Sequence, residues 1–284
     1  MSGFHRPRWP RLADFGGRWN SARFKSVASR ILGEGSAMPG TAQDFPNARS
    51  LPPGERVYAV GDIHGRADLL ARMQELIRDH AAKAPLASIT VVWLGDYVDR
   101  GPQSREVIEL LIGSAASAHR SVFLMGNHEE ALLRFLVDPR DGLQWARLGG
   151  LETLASYGVD AQALHFGLEP EGMRLAFLAA LPDSHREFFL ALELSRSIGD
   201  FFFCHAGVRP GVALGAQAPH DLIWIREEFL NWQGDFGRMI VHGHTPVAEP
   251  ELRPNRVNVD TGAFATDRLT CAVIEDGKIS FLST

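Results

Sequence analysis

The chain has 284 residues, of which 45% are hydrophobic and 22% charged, and its formal net charge is −5. That composition suits a globular protein, and no stretch approaches the roughly 20 uncharged apolar residues of a membrane helix, so no membrane partner is expected. Residues 1–50 carry eight Lys/Arg against three Asp/Glu, which leaves an acidic body and disfavours a duplex nucleic-acid partner.

In chain order, residues 1–50 lack sustained periodicity and are rich in Arg, Gly, Ser and Pro. They read as a basic, mobile N-terminal tail with a short helix near 20–32, and they lack the apolar core of a secretory signal. Leu51-Pro52-Pro53-Gly54 punctuates the start of one body spanning 51–284. Arg56 to Val60 reads as a strand. Leu69, Leu70, Met73, Leu76 and Ile77 then recur at helical spacing within 66–81. Ile89 to Leu94 is a near-continuous apolar run, suited to a strand covered on both faces. A helix over 103–113, a strand over Ser121 to Leu124 and a helix over 128–137 follow. Residues 143–182 read as helical but irregular, placed to cap a site. Strands are expected at 198–204, 238–242, 256–259, 270–275 and 278–282, with Glu275-Asp276-Gly277-Lys278 as a hairpin turn. The first half is therefore α/β and the second half strand-rich. Cys204 and Cys271 make no disulfide framework and no zinc ribbon; they read as free thiols suited to a reducing, cytoplasmic setting.

Five short motifs punctuate the strand ends: Gly61-Asp62-Ile63-His64-Gly65, Gly95-Asp96-Tyr97-Val98-Asp99-Arg100-Gly101, Gly126-Asn127-His128-Glu129, His205-Ala206-Gly207 and His242-Gly243-His244-Thr245. Each is a turn of small residues that offers Asp, Asn or His. Open α/β sheets place their sites at the carboxyl ends of strands. Asp, Asn and His without Cys point to divalent cations in a mixed nitrogen and oxygen site, with Mn²⁺, Fe or Zn²⁺ as candidates. Such cations also reconcile an acidic body with an anionic substrate.

These motifs resemble the GDxHG, GDxxDRG, GNHE, HAG and late GH pattern of the phosphoprotein phosphatase family, within the calcineurin-like metallophosphoesterases. The match spans about residues 56–262. The resemblance implies two mixed β-sheets sandwiched between α-helices, and two divalent metal ions, Mn²⁺ foremost. One ion would take Asp62, His64 and Asp96; the other would take Asp96, Asn127, His205 and His244. The implied reaction is in-line attack on phosphorus by a hydroxide bridging the two ions. His128 would protonate the leaving group, Asp99 would hold its imidazole, and Arg100 and Asn127 would grip the phosphate. His242 is open between support of the site and strand-end packing. Asp260-Thr261-Gly262 is open between closing the site wall and ending a strand.

Two departures from the pattern bear on substrate. Met125 stands where many eukaryotic members carry Arg, and Arg226, in Trp224-Ile225-Arg226, offers itself as the replacement phosphate ligand. Pro246 stands where the wider class often has a second His, which disfavours the nuclease and phosphodiesterase branches. The resemblance thus implies a metal-dependent phosphomonoesterase, with phosphoserine or phosphothreonine in proteins as first expectation. Phosphorylated small molecules, dinucleoside polyphosphates such as diadenosine tetraphosphate, and nucleotide-capped RNA ends form the alternative. Glu129 tilts the choice toward proteins, because the dinucleotide branch often carries Asp there.

Overall fold

The computed structural model describes residues 43–44, 49–83, 88–115, 119–160 and 170–284. The chain divides into two units, Met1–Glu34 and Gly35–Thr284, and the elements below belong to the second. The helix expected near 20–32 lies outside the described residues.

The first half alternates strand and helix. It runs β1 (Gln43–Asp44), β2 (Glu55–Val60), α1 (Ala67–Lys83), β3 (Ser88–Trp93), α2 (Ser104–Ser114), β4 (Arg120–Phe123) and α3 (Asn127–Val137). Helix α1 forms because Leu70, Met73, Ile77 and Ala81 share one buried face. Asp68 in its first turn and His80 and Lys83 in its last complement the helix dipole. Next come α4 (Gly142–Trp145), a π-turn over Ala146–Gly150, α5 (Leu151–Ser156), α6 (Pro170–Ala180) and α7 (Asp183–Leu190). The second half holds β5 (Ser195–Ile198), β6 (Phe201–Cys204), α8 (Pro219–Trp224), α9 (Glu227–Leu230), β7 (Met239–His242), β8 (Glu251–Leu252), β9 (Arg256–Asn258), α10 (Ala263–Thr266), β10 (Thr270–Glu275) and β11 (Lys278–Ser283).

Two mixed sheets result, ordered β1-β11-β10-β2-β3-β4 and β5-β6-β7-β9-β8. Strands β2, β3 and β4 are parallel, as are β6, β7 and β9, while β10 and β5 join their sheets antiparallel. Strand alternation explains the layering. Val57 and Ala59 face the second sheet with Val92, Phe201, Phe203, Val241 and Val257. Tyr58 and Val60 face the helices with Leu70, Met73 and Ile108. Phe202, Cys204 and Ile240, on the other face of the second sheet, pack against Ile223 and Phe229. The architecture is two sheets sandwiched between helices, with the carboxyl ends of both parallel triplets delivering the motif turns.

The sequence reading differs from the structure at several elements, among them β1, which lies inside the tail expected over 1–50 and pairs antiparallel with β11. The strand expected at 198–204 is a hairpin, β5 and β6, turned at Gly199-Asp200 with Gly199 at φ +53°. Its first arm, Ser195-Arg196-Ser197, is a polar edge strand with no apolar run to mark it. Helix α7 lies beyond the irregular cap expected over 143–182: Pro182 closes that stretch and stands as the N-cap of a further helix, Asp183–Leu190. Both thiols are buried and free. Among the described residues no helix is long and apolar enough to cross a membrane.

Candidate metal centre

The motif turns are held in backbone conformations that ordinary residues avoid. Of the seven non-glycine residues with positive φ among the described residues, five are motif residues: His64 (47°), Asp96 (51°), Asp99 (72°), Arg100 (69°) and His244 (67°). Left-handed backbone at such positions persists only where the surroundings enforce it, and it clusters at functional sites. The motif glycines do part of the enforcing by permitting close approach. A Cβ on Gly126 would stand 2.1 Å from Asp96 Oδ1, and one on Gly243 would stand 2.2 Å from Asp62 Oδ1.

Glu129 does the rest for the central turn. Its fully buried carboxylate accepts from the backbone N–H groups of Asp96 (2.9 Å) and Gly126 (3.0 Å) on Oε2, and of Tyr97 (2.8 Å) and Val98 (3.2 Å) on Oε1. Its bond to the Gly126 N–H satisfies the N-cap backbone at the start of α3, the one half of a capping box that a glycine N-cap allows. The last letter of the Gly-Asn-His-Glu motif is therefore a clamp on the Asp96 turn.

Two groups of buried donors converge around Asp96. The ligand atoms of His64, Asp96 and His128 lie within 4.8 Å of one another, as do those of Asp96, His205 and His244. Asp96 Oδ2 is 3.5 Å from His64 Nε2, and Oδ1 is 3.4 Å from His205 Nε2. His64 Nδ1 bonds the Val98 carbonyl and His205 Nδ1 the Leu94 carbonyl, each at 2.9 Å, which leaves Nε2 of both rings for a ligand role. His205 Nε2 also meets Asn127 Oδ1 at 3.0 Å and His244 Nδ1 at 3.1 Å. So many acceptors aimed at one another fit a bound cation. Asp62 stands slightly apart, both its oxygens 3.2 Å from the His244 N–H.

His128 faces the same space but is tied elsewhere. Its Nδ1 bonds Asp99 Oδ2 at 2.8 Å, and its Nε2 lies 3.8 Å from Asp96. Asp99 is fully buried and held from the cap: Trp145 Nε1 donates to Oδ2 at 3.0 Å, and Thr153 Oγ1 donates to Oδ1 at 2.6 Å. Ser104 Oγ lies 3.0 Å from Thr153 Oγ1 and accepts the Asp99 N–H at 3.1 Å. The π-turn completes this support, with the Gly149 carbonyl accepting the Arg100 N–H at 3.2 Å. Sequence reading named Trp145 only as part of a cap and missed Thr153 and Ser104. A threonine inside a helix, 54 positions from its partner, carries no local signal.

Arg100 spans the front of the site, with Nη1 2.9 Å from His64 Nε2 and Nη2 3.0 Å from His128 Nε2. Arg226 reaches the opposite side, where Nη2 donates to the His244 carbonyl at 3.2 Å. Burial disfavours its charge, while Asp260, Asp96 and Asp62 favour it, which places its guanidinium within the field of the site. Asp260 is buried just past the end of β9, and its Oδ1 accepts the Gly262 N–H at 2.9 Å, so this segment is a strand-ending turn. His242 packs its ring against Phe229, 4.9 Å between centroids, and points its Nδ1 at the Gly243 carbonyl.

The electrostatics reflect crowding in a dry pocket. Burial, Asp260 and Asp96 push the Asp62 carboxyl well up. Burial also opposes the Asp96 charge, but His205, His128 and His64 hold its carboxyl well below the usual range. His64 is lowered by burial and by Arg100, and His244 by burial and by Arg226. Burial opposes charge on His205, yet Asp96 and Asp62 raise it to about 9, so a proton and a metal ion compete for its Nε2.

This fold and this ring of donors define a metallophosphoesterase, and the chain belongs to the calcineurin-like phosphoesterase family, whose profile matches residues 55–270. Among its relatives is the asymmetrical bis(5'-nucleosyl)-tetraphosphatase PrpE of Anoxybacillus flavithermus, 28% identical over 234 residues, covering 74% of this chain and 87% of that protein. The protein of the same name from Halalkalibacterium halodurans is 25% identical over 248 residues, covering 79% and 91%. A crystal structure of a candidate diadenosine tetraphosphatase shares the fold, with a TM-score of 0.55 and 23% identity over 84% of this chain and 96% of that one.

Proposed function

We propose that this chain hydrolyses dinucleoside polyphosphates at a two-metal centre, cleaving bis(5'-nucleosyl) tetraphosphates asymmetrically. The observation that carries the reading is the run of relatives bearing that activity in their names, aligned over 74–79% of this chain with all five motif turns inside the aligned family region. The phosphoprotein expectation gives way to it. Within the family resemblance, the tilt toward phosphoproteins came from Glu129, and that side chain is buried and spent on four backbone bonds.

Asp62, His64 and Asp96 would hold one cation; Asp96, Asn127, His205 and His244 would hold the other. When bound, the pair supplies a water-derived nucleophile at neutral pH and charge to neutralise phosphoryl oxygens. Mn²⁺ is the first choice for both, with Fe or Zn²⁺ as substitutes. The chain's own residues do the rest. Arg100 leaves the His64 and His128 lone pairs, which frees His128 Nε2 to carry a proton, and forks onto phosphoryl oxygens, which its planar geometry suits. Arg226 and the Asn127 amide meet the phosphate from the other side. His128 offers a proton from Nε2 to the departing oxygen while Asp99 fixes its ring through Nδ1. One phosphorus–oxygen bond forms to water's oxygen and one phosphoanhydride bond breaks, dividing four phosphates into a nucleoside triphosphate and a monophosphate.

Relative kcat/KM on diadenosine tetraphosphate and on a phosphothreonine peptide tests this. The dinucleotide should be the better substrate; a clear preference for the peptide overturns the reading.

A further inference from the structure

We propose that Phe264 and Trp224 are two nucleobase platforms, one at each end of the metal site. The inference rests on the dinucleotide reading and gives it specificity-determining residues. Phe264 is 38% exposed, although its ring centroid lies only 5.5 Å from that of His64, edge to face at 83°. Arg100 sits over the same ring, its Cζ 4.8 Å from the centroid. Trp224, half-buried at the end of α8, stands 6.3 Å from the His244 ring at 82°. Its indole hydrogen-bonds Glu130 and lies nearly parallel to the His220 ring, 19° between planes.

The two rings repeat one arrangement. His64 belongs to one donor group and His244 to the other. Beside each stands an aromatic ring, and with each ring comes a guanidinium: Arg100 over Phe264, and Arg226 two residues beyond Trp224 with its Nη2 on the His244 carbonyl. A ligand that matches this is flat and aromatic at both ends and polyanionic between them. A dinucleoside polyphosphate has that form, whereas a phosphoserine peptide has one anionic group and no obligatory ring. Stacking on aromatic faces accepts any base, which suits an enzyme that reads the phosphate chain.

The test uses the metal-loaded full chain. Phe264→Leu keeps apolar bulk on an exposed residue and removes the π face. It should lower kcat/KM for diadenosine tetraphosphate, relative to a base-free phosphomonoester, by roughly tenfold or more, mainly through KM. Phe264→Tyr should restore the ratio. Trp224→Leu, judged by the same ratio so that general damage cancels, should behave likewise. Ratios within about twofold of wild type for both leucine variants overturn the proposal. If wild type does not cleave the dinucleotide at all, the functional reading has failed, and inhibition by AMP against ribose 5-phosphate decides the platforms. An AMP advantage that Phe264→Leu abolishes upholds them; equal inhibition by the two compounds refutes them.

Discussion

Glu129→Gln separates a clamp from a specificity residue. The substitution keeps size and one oxygen but swaps the other oxygen for an NH₂ group. Each carboxylate oxygen accepts two backbone N–H groups, Asp96 and Gly126 on one and Tyr97 and Val98 on the other. Whichever way the amide turns, two buried N–H donors then face a third donor. An unsatisfied buried donor costs about 1–3 kcal/mol, so the variant should lose about 2–6 kcal/mol of stability. Against the 5–15 kcal/mol that holds a typical domain together, that loss is large. Because Asp96 sits on the clamped turn, metal affinity should fall as well. The assay is urea unfolding of wild type and variant, with metal content measured on the folded protein. A change below about 0.5 kcal/mol, the range of an ordinary surface substitution, would refute the clamp. A shift in substrate preference without destabilisation would return Glu129 to the role the sequence first suggested.

Four further outcomes follow from the geometry. Asp96→Asn weakens the one carboxylate shared by both donor groups and should cut metal content and hydrolysis by roughly 100-fold or more; unchanged hydrolysis would put the site elsewhere. His128→Ala should depress turnover by roughly 100-fold on an alkyl phosphate, less on a dinucleotide whose leaving phosphate needs little protonation, and should spare metal content. Metal loss equal to the activity loss would make His128 a ligand, as its place in the His64–Asp96 group allows. Thr153→Val, which removes the 2.6 Å bond to Asp99, should slow alkyl phosphates about tenfold while Thr153→Ser restores them; equal rates in all three proteins would show that Asp99 needs no support from α5. Deleting residues 1–42 should leave activity intact, and extending the deletion through 50 should destabilise, because Arg49 bonds the Gly237 carbonyl at 2.7 Å and Ser50 bonds Asp200 at 3.0 Å. The comparison is read by thermal unfolding of both truncations, and equal midpoints would contradict it.

The strand-ending turns were legible because their chemistry is local. Gly61, Gly95 and Gly126 sit beside the residues they serve, and the apolar runs into them read as strands. The supports of those turns were not legible. Thr153 and Trp145 meet Asp99 only after the cap folds back across α2 and α3, and neither residue type announces a partner. Glu129 was legible as a motif letter but not as a clamp, because its four partners are backbone N–H groups and leave no trace in the sequence. Phe264 reads as one more apolar residue after a turn; only its exposure beside His64 marks it. Arg226 was singled out from its Trp-x-Arg setting, and its bond to the His244 carbonyl, 18 positions away, places it beside the motif turn.

The most direct measurement is phosphorus NMR of diadenosine tetraphosphate incubated with metal-stripped protein, then with Mn²⁺ restored. The account predicts no change without metal and, with metal, signals of ATP and AMP in equal amounts. Two equivalents of ADP would contradict asymmetric cleavage. An intact substrate in the presence of folded, metal-loaded protein would contradict the assigned function itself.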